Sequence, residues 1–225
     1  MMTPDAMEAF RAEYRANINK RYNGWRHMGF VALVGFGVIA YSINQLHQPS
    51  LLEACIFPAT MLLINFAEYY AHRWLGHRKT RIGKLFYSRH TGDHHSFFLS
   101  SHMAYQSTRD WRVVLFPALL IIVFLLGLIT PISYLLGTFF SMNAAYLFTA
   151  GALSGYVFYE IMHFSYHVPP GSKTEAFFLL FPGWKQLRHT HVLHHKREIM
   201  ANRNFNITLP VFDILLGTFY WEPLP

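Results

Sequence analysis

The chain has 225 residues, of which 52% are hydrophobic, 14% are charged and one is cysteine, and its formal net charge is +7. A soluble domain carries about 25% charged residues, so this composition excludes an ordinary water-soluble surface. The lone Cys55 excludes an internal disulfide framework and any cysteine-based zinc ribbon.

Residues 1–27 mix Arg11, Arg15, Lys20, Arg21 and Arg26 with Phe10, Tyr14, Tyr22 and Trp25, the pattern of a helix lying at a membrane interface. No apolar signal core precedes the first long apolar stretch, so no cleavable leader is expected. Four such stretches follow: Met28–Leu46, Leu51–Tyr70, Val113–Ile129 and about Leu135–Tyr159. A hydrocarbon core of about 30 Å needs roughly 20 helical residues, so each is expected to span. All 19 Lys and Arg lie before the first stretch, in Arg73–Arg112, or from Lys173 onward. With four spans these segments share one side, which the positive-inside rule makes cytosolic. Their charge suits anionic lipid head groups; no nucleic-acid motif is present. The expected architecture is all-α and integral to the membrane, a single domain over 1–225. It comprises an interfacial segment (1–27), four transmembrane helices (28–167) with a cytosolic insert (71–112), and a cytosolic cap (168–225).

Histidines then define the chemistry. Ten of the 14 fall in four groups: His72/His77, His90/His94/His95, His163/His167 and His191/His194/His195. On α-helical spacing His90/His94, His163/His167 and His191/His194/His195 each share a face. His72 and His77 are about 140° apart, which a bend at Gly76 would correct. Neutral imidazole is the commonest protein metal ligand, and ten imidazoles suit two ions with about five each and positions left open for a reactant. Glu68 is expected to accept a ring N–H from His72, and Glu160, in Glu160-x-x-His163, to act as another supporting carboxylate; Asp93 is a further acceptor. Isolated His27, His47 and His102 are set aside, and His189 is expected to point away from the cluster. No His-Glu-x-x-His is present, against a zincin hydrolase, and zinc and iron are both admissible on these residues.

The ordered set His-x4-His, His-x3-His-His, His-x3-His, His-x2-His-His resembles the fatty acid hydroxylase / sterol desaturase superfamily of membrane di-metal oxygenases. Glu68-Tyr69-x-x-His72-Arg73, Gly155-Tyr156-x-x-Tyr159-Glu160-x-x-His163 and Phe212-Asp213-x4-Gly217-Thr218 also look like that family, nearest its fatty acid 2-hydroxylase branch. Asn202-Arg203-Asn204-Phe205 is nearer to tails of the sterol branch. The resemblance implies that His72, His77, His90, His94, His95, His163, His167, His191, His194 and His195 hold two iron ions, with zinc as a possible occupant. It implies O2 as co-substrate, a fatty acyl or related lipid as substrate, and an external electron donor such as a ferredoxin or cytochrome b5-like protein with its reductase. No flavin, haem or iron–sulfur motif appears, and no cytochrome b5-like domain is expected within these 225 residues. The metal site would face the cytosol, at a bacterial inner membrane or the endoplasmic reticulum. Alternatives are a sterol or other lipid desaturase of the same superfamily and, in another class, a membrane metal transporter. The latter would need ionisable groups along the spans, which hold only neutral small and hydroxyl side chains between their ends.

Overall fold

A computed structural model describes residues 3–223; Met1, Met2, Leu224 and Pro225, at the ends of the expected interfacial segment and cap, lie outside the described residues. Thr3 caps α1 (Pro4–Asn17) by accepting the Ala6 amide at 3.2 Å, with Pro4 in the first turn, where its missing N–H costs nothing. The helices that follow are α2 (Gly24–Asn44), α3 (Leu51–Gly76), α4 (84–97), α5 (Trp111–Val114), α6 (Leu120–Phe139), α7 (Met142–Tyr166), α8 (Lys173–Phe178), α9 (Trp184–His194) and α10 (Val211–Leu215). No strand occurs among the described residues, only an isolated bridge between Leu99 and His102. The chain divides into two compact units, and α3 and α7 each begin in one and end in the other.

The first unit to consider comprises Trp25–Phe66 and Phe116–Glu160. Three helices, α2, α3 and α6, are long and apolar enough to cross a membrane, and they leave Leu33, Phe36, Leu62, Leu63 and Leu126 exposed. The fourth, α7, has the length but not the apolarity, and within this unit its exposure is the reverse: Ala144, Ala150, Ala152 and Leu153 are buried. A helix surrounded by helices needs small residues more than apolar ones. A Cβ on Gly155 would sit 2.6 Å from Ile64, and one on Gly151 2.9 Å from Thr60.

Two expected boundaries move. The gap expected between Ile129 and Leu135 is helical: Pro131 within it lies inside α6, directly after a π-helical turn, Leu125–Ile129, whose Leu125 carbonyl is taken by the Thr130 hydroxyl at 2.9 Å. The third stretch, expected from Val113, becomes α6 only from Leu120, after Pro117, and the reversal falls at Phe140–Ser141. There Ser141 donates to Glu53 at 2.5 Å and Asn143 exchanges two hydrogen bonds with the His47 backbone, so the two short links meet at one end of this unit.

The other unit comprises residues up to Gly24, Ala67–Leu115 and Ile161 onward, and holds all ten clustered histidines. Its core includes Met7, Phe97, Phe98, Tyr166, Trp184, Leu193 and Phe205. Residues of α1 reach deep into it. Arg11 is buried against the rings of Phe97 and Phe98 and donates to the carbonyls of Phe97 (2.8 Å) and His102 (2.9 Å). Arg15 forks onto Asp110 at 2.8 and 3.0 Å. The N-terminal helix is thus tied to this unit by its charged side chains, as well as having the composition of an interfacial helix.

Candidate metal centre

Helical period decides where each histidine goes. Residues 71–76 of α3 and 88–94 of α4 are π-helical. A π-turn bonds i to i+5 and holds roughly 4.4 residues, so residues five apart lie nearly one above the other. His72 and His77 meet in this way, as do His90 and His95, whose amide bonds back to the His90 carbonyl. The π-turn itself, rather than a bend at Gly76, aligns the first pair. Gly76 has a different part: a Cβ there would lie 3.0 Å from the His90 ring and 3.3 Å from the His72 ring. His163/His167 and His191/His195, four apart, lie on and just beyond the ends of α7 and α9, as expected.

The result is two groups. The first contains His72, His77, His90, His95 and His194, with donor nitrogens all within 4.8 Å of one another. The second contains His94, His167, His191 and His195 under the same limit, and His163 joins it with its Nε2 3.2 Å from that of His94. Two expected shared faces are therefore divided. His94 parts from His90, and His194 from His191 and His195, because the groups are neighbours and one helix feeds both. The His95 and His195 rings, one from each group, have centroids 4.3 Å apart. His189 turns away, to the Glu222 carbonyl at 2.9 Å and the edge of Trp221, and His27, at 2.8 Å from the Phe116 carbonyl, belongs to the other unit.

Backbone carbonyls fix five of the ten rings. Nδ1 of His72 faces the Phe205 carbonyl, and that of His194 the Arg203 carbonyl at 2.8 Å. In the second group Nδ1 faces Val113 for His94 (3.1 Å), Met103 for His167 (2.8 Å) and Phe98 for His195 (2.8 Å). A carbonyl only accepts, so each of these Nδ1 atoms carries the proton and each Nε2 presents a lone pair. Yet the Nε2 atoms crowd together: His72 to His90 2.8 Å, His77 to His194 3.0 Å, His94 to His195 3.1 Å, His167 to His191 3.0 Å. Lone pairs cannot bond to lone pairs. Burial and the neighbouring rings also push His90, His94, His95, His167, His191 and His195 well below the ordinary imidazole range, and burial brings His194 to about 4. Protonation therefore does not relieve the crowding at neutral pH; a cation between the nitrogens does.

The spacing also fits an ion. Two imidazoles bound about 2.1 Å from one ion are about 3.0 Å apart at a right angle and about 3.4 Å apart at a tetrahedral angle. The closest spacings here, 2.8–3.2 Å, fall in the range two imidazoles on one ion would have. Nine of the ten rings are buried and His77 is half-buried.

The two carboxylates act through other groups. Both ring nitrogens of His72 are occupied elsewhere, and Glu68 instead accepts the amides of Ile207 and Thr208 (3.0 Å) and the Thr208 hydroxyl (2.6 Å). It clamps the loop whose Phe205 carbonyl holds His72. Glu160 accepts the Phe116 amide at 3.2 Å and faces the Tyr156 hydroxyl, within the other unit. Sequence reasoning placed 202–218 in the cap through two motif resemblances alone and missed its polar framework of Asn204, Asn206, Asp213 and Thr218. The available signal was four short polar side chains among aromatics and Gly217, with Asn204 in the left-handed region (φ 57°).

Comparison with known proteins bears on the same stretch. The fatty acid hydroxylase family model matches residues 57–218, which include all ten histidines. The ceramide very long chain fatty acid hydroxylase SCS7 of Saccharomyces cerevisiae is 27% identical over 197 residues, 87% of this chain. The chain spans 44% of the length of that relative. A solved structure of full-length scs7p, with only its hydroxylase domain visible, superposes with a TM-score of 0.60 at 23% identity, over 91% of this chain and 70% of that one, a likeness of fold.

Proposed function

The chain belongs to the fatty acid hydroxylase family, and on that premise we propose that it is an O2-dependent hydroxylase of a lipid acyl C–H bond, with two iron ions held by the ten clustered histidines. It is an integral membrane protein, with apolar helices α2, α3 and α6; we take α7 as a fourth span and the basic segments as cytosolic. One observation carries the reading: two adjacent groups of imidazoles whose Nε2 lone pairs converge at 2.8–3.2 Å. The overall change is R–H + O2 + 2 electrons + 2 protons → R–OH + H2O. Iron, when bound, supplies the redox chemistry with O2 that no acid–base group can perform on a C–H bond.

The chain's own contribution is positional. Carbonyls of Phe205, Arg203, Phe98, Met103 and Val113 hold imidazoles in one tautomer, so each needs neither deprotonation nor reorientation to bind. Burial keeps water from the second group on every side, while the half-buried His77 leaves the first group nearer to solvent. Next to His77 the stretch Arg78, Lys79, Arg81 and Lys84 is exposed and free of acidic residues. It suits an acidic electron donor, a ferredoxin or cytochrome b5-like protein with its reductase, and turnover with such a donor is expected to fall as salt rises. The SCS7 relative is named for a ceramide very long chain fatty acid, which supports an acyl chain in the lipid bilayer as the substrate class here.

The test is lipid mass spectrometry on membranes containing the iron-loaded protein, a reductant system and isotopically labelled O2. A gain of one labelled oxygen atom in an acyl chain is expected. Loss of two hydrogens would indicate desaturation instead, and unchanged lipids with both irons bound would refute the reading.

A further inference from the structure

We propose that Asp213 is a positioning residue for the first histidine group alone, resting on the reading that each group holds a metal ion. Asp213 is fully buried, and everything around its carboxylate donates. Oδ1 accepts the Phe205 amide (2.9 Å) and the Thr218 hydroxyl (2.7 Å), and Oδ2 accepts the Asn206 amide (2.6 Å). Its own carbonyl accepts the amides of Thr218 (2.8 Å) and Phe219 (2.9 Å).

Peptide planarity turns these bonds into ligand geometry. In a trans peptide the N–H of one residue and the C=O of the residue before it point in opposite directions. The Asn206 N–H is fastened to Asp213, so the Phe205 C=O on the same plane points the other way, at Nδ1 of His72. The Asn204 N–H is fastened to the Thr218 carbonyl (3.1 Å), so the Arg203 C=O on that plane points at Nδ1 of His194 (2.8 Å). Thr218 is in turn held to Asp213 by both its amide and its hydroxyl. One residue thereby sets two peptide planes, the first directly through its carboxylate and the second through Thr218, which its carboxylate and its backbone carbonyl both hold, and each plane fixes one imidazole of the first group. The carbonyls that face His94, His167 and His195 of the second group all come from residues 98–113. A charge-assisted bond to the Asn206 amide also polarises the shared peptide, making the Phe205 carbonyl a better acceptor and His72 a stronger donor to metal.

Asp213→Asn keeps the shape but places an NH2 against one of the three donors. In the purified full-length protein its expected effect is confined to one ion: the affinity of the first group falls about 10–100-fold, as for loss of a group supporting a ligand, while the second is unchanged. Chelator titration of the iron- or cobalt-loaded protein reads this as two metals per chain in the parent and one retained in the variant. The ligand-field spectrum of the remaining ion should match that of His194→Ala and not that of His191→Ala. Thr218→Val, which removes a single hydroxyl, should weaken the same ion several-fold and carries the test if Asp213→Asn does not fold. Equal weakening of both ions, or two ions bound with parental affinity in both variants, would overturn the assignment. A parent protein that binds no metal would overturn the hydroxylase reading beneath it instead.

Discussion

The two histidine groups hold five imidazoles each but are built by different rules. The first takes its paired histidines from π-turns, at a spacing of five, and hangs two of its rings on a C-terminal loop. The second takes its pairs from α-helical spacing of four and leans on the segment 98–113, itself fastened to α1 through Arg11 and Arg15. The first has one ring partly open to solvent and the second has none. The lesson is that ligand spacing reports the local helical period before it reports a shared face. A π-turn is an uncommon conformation found chiefly at functional sites, so an i, i+5 histidine pair is a sign of it and not a defect in an α pattern.

Removing one ligand from each group is the largest way to test that division. His194→Ala should empty the first group and His191→Ala the second, each leaving one metal per chain. Activity should fall by more than the roughly 100-fold that loss of a supporting residue costs. Metal analysis alongside turnover decides it, and two metals retained in either variant would dissolve the two-group assignment. Gly76→Ala comes next. Its Cβ would press on the rings of His90 and His72 at 3.0 and 3.3 Å, an overpacking cost of about 1–3 kcal/mol. Weaker binding at the first group only, with a lowered Tm, is expected; unchanged affinity at both would show that the π-turn has slack.

Much of this was legible in the sequence, and the shortfalls have physical causes. The ten histidines, the all-α character and the long apolar helices follow from residue type and run length. Their division into groups does not, because α-period reasoning puts His90 with His94 and separates His72 from His77. The third and fourth apolar stretches stand apart in the sequence, at Ile129 and Leu135, but the gap between them, Pro131 included, is helical, since a π-turn before the proline lets the helix continue. Glu68 looked like a partner for His72 at one turn's distance; its oxygens are engaged by Ile207 and Thr208, contacts 139 and 140 residues away that no local pattern encodes. Arg11 reads as one more basic residue of an interfacial helix until its burial is known.

Arg11 offers a smaller test, aimed at the second group. Arg11→Met keeps the apolar stem against Phe97 and Phe98 but leaves the carbonyls of Phe97 and His102 without their donor. Bonds to a charged donor contribute about 1.5–3 kcal/mol. The loop so released carries the Phe98 carbonyl that holds His195. A lower Tm and a several-fold weaker second ion are expected by calorimetry and chelator titration, with the first ion unaffected. The opposite selectivity would mean that α1 supports the centre by another route.

The smallest effect belongs to His189, which adjoins the richest histidine motif in the chain and yet lies outside both groups. On α9 it precedes His191 by two positions, about 160° around an α-helix, and its Nε2 sits 2.9 Å from the Glu222 carbonyl, with its ring edge-on to Trp221. Its role is to hold the C-terminal segment, where Lys196 also reaches Glu222 at 2.5 Å. His189→Ala removes one neutral hydrogen bond at a part-buried site, about 0.5–1.5 kcal/mol. Both ions should stay bound with parental affinity. If this variant lost metal as His194→Ala is expected to, α9 would have to present a different face to the centre, and every pairing drawn from its helical period would have to be redrawn.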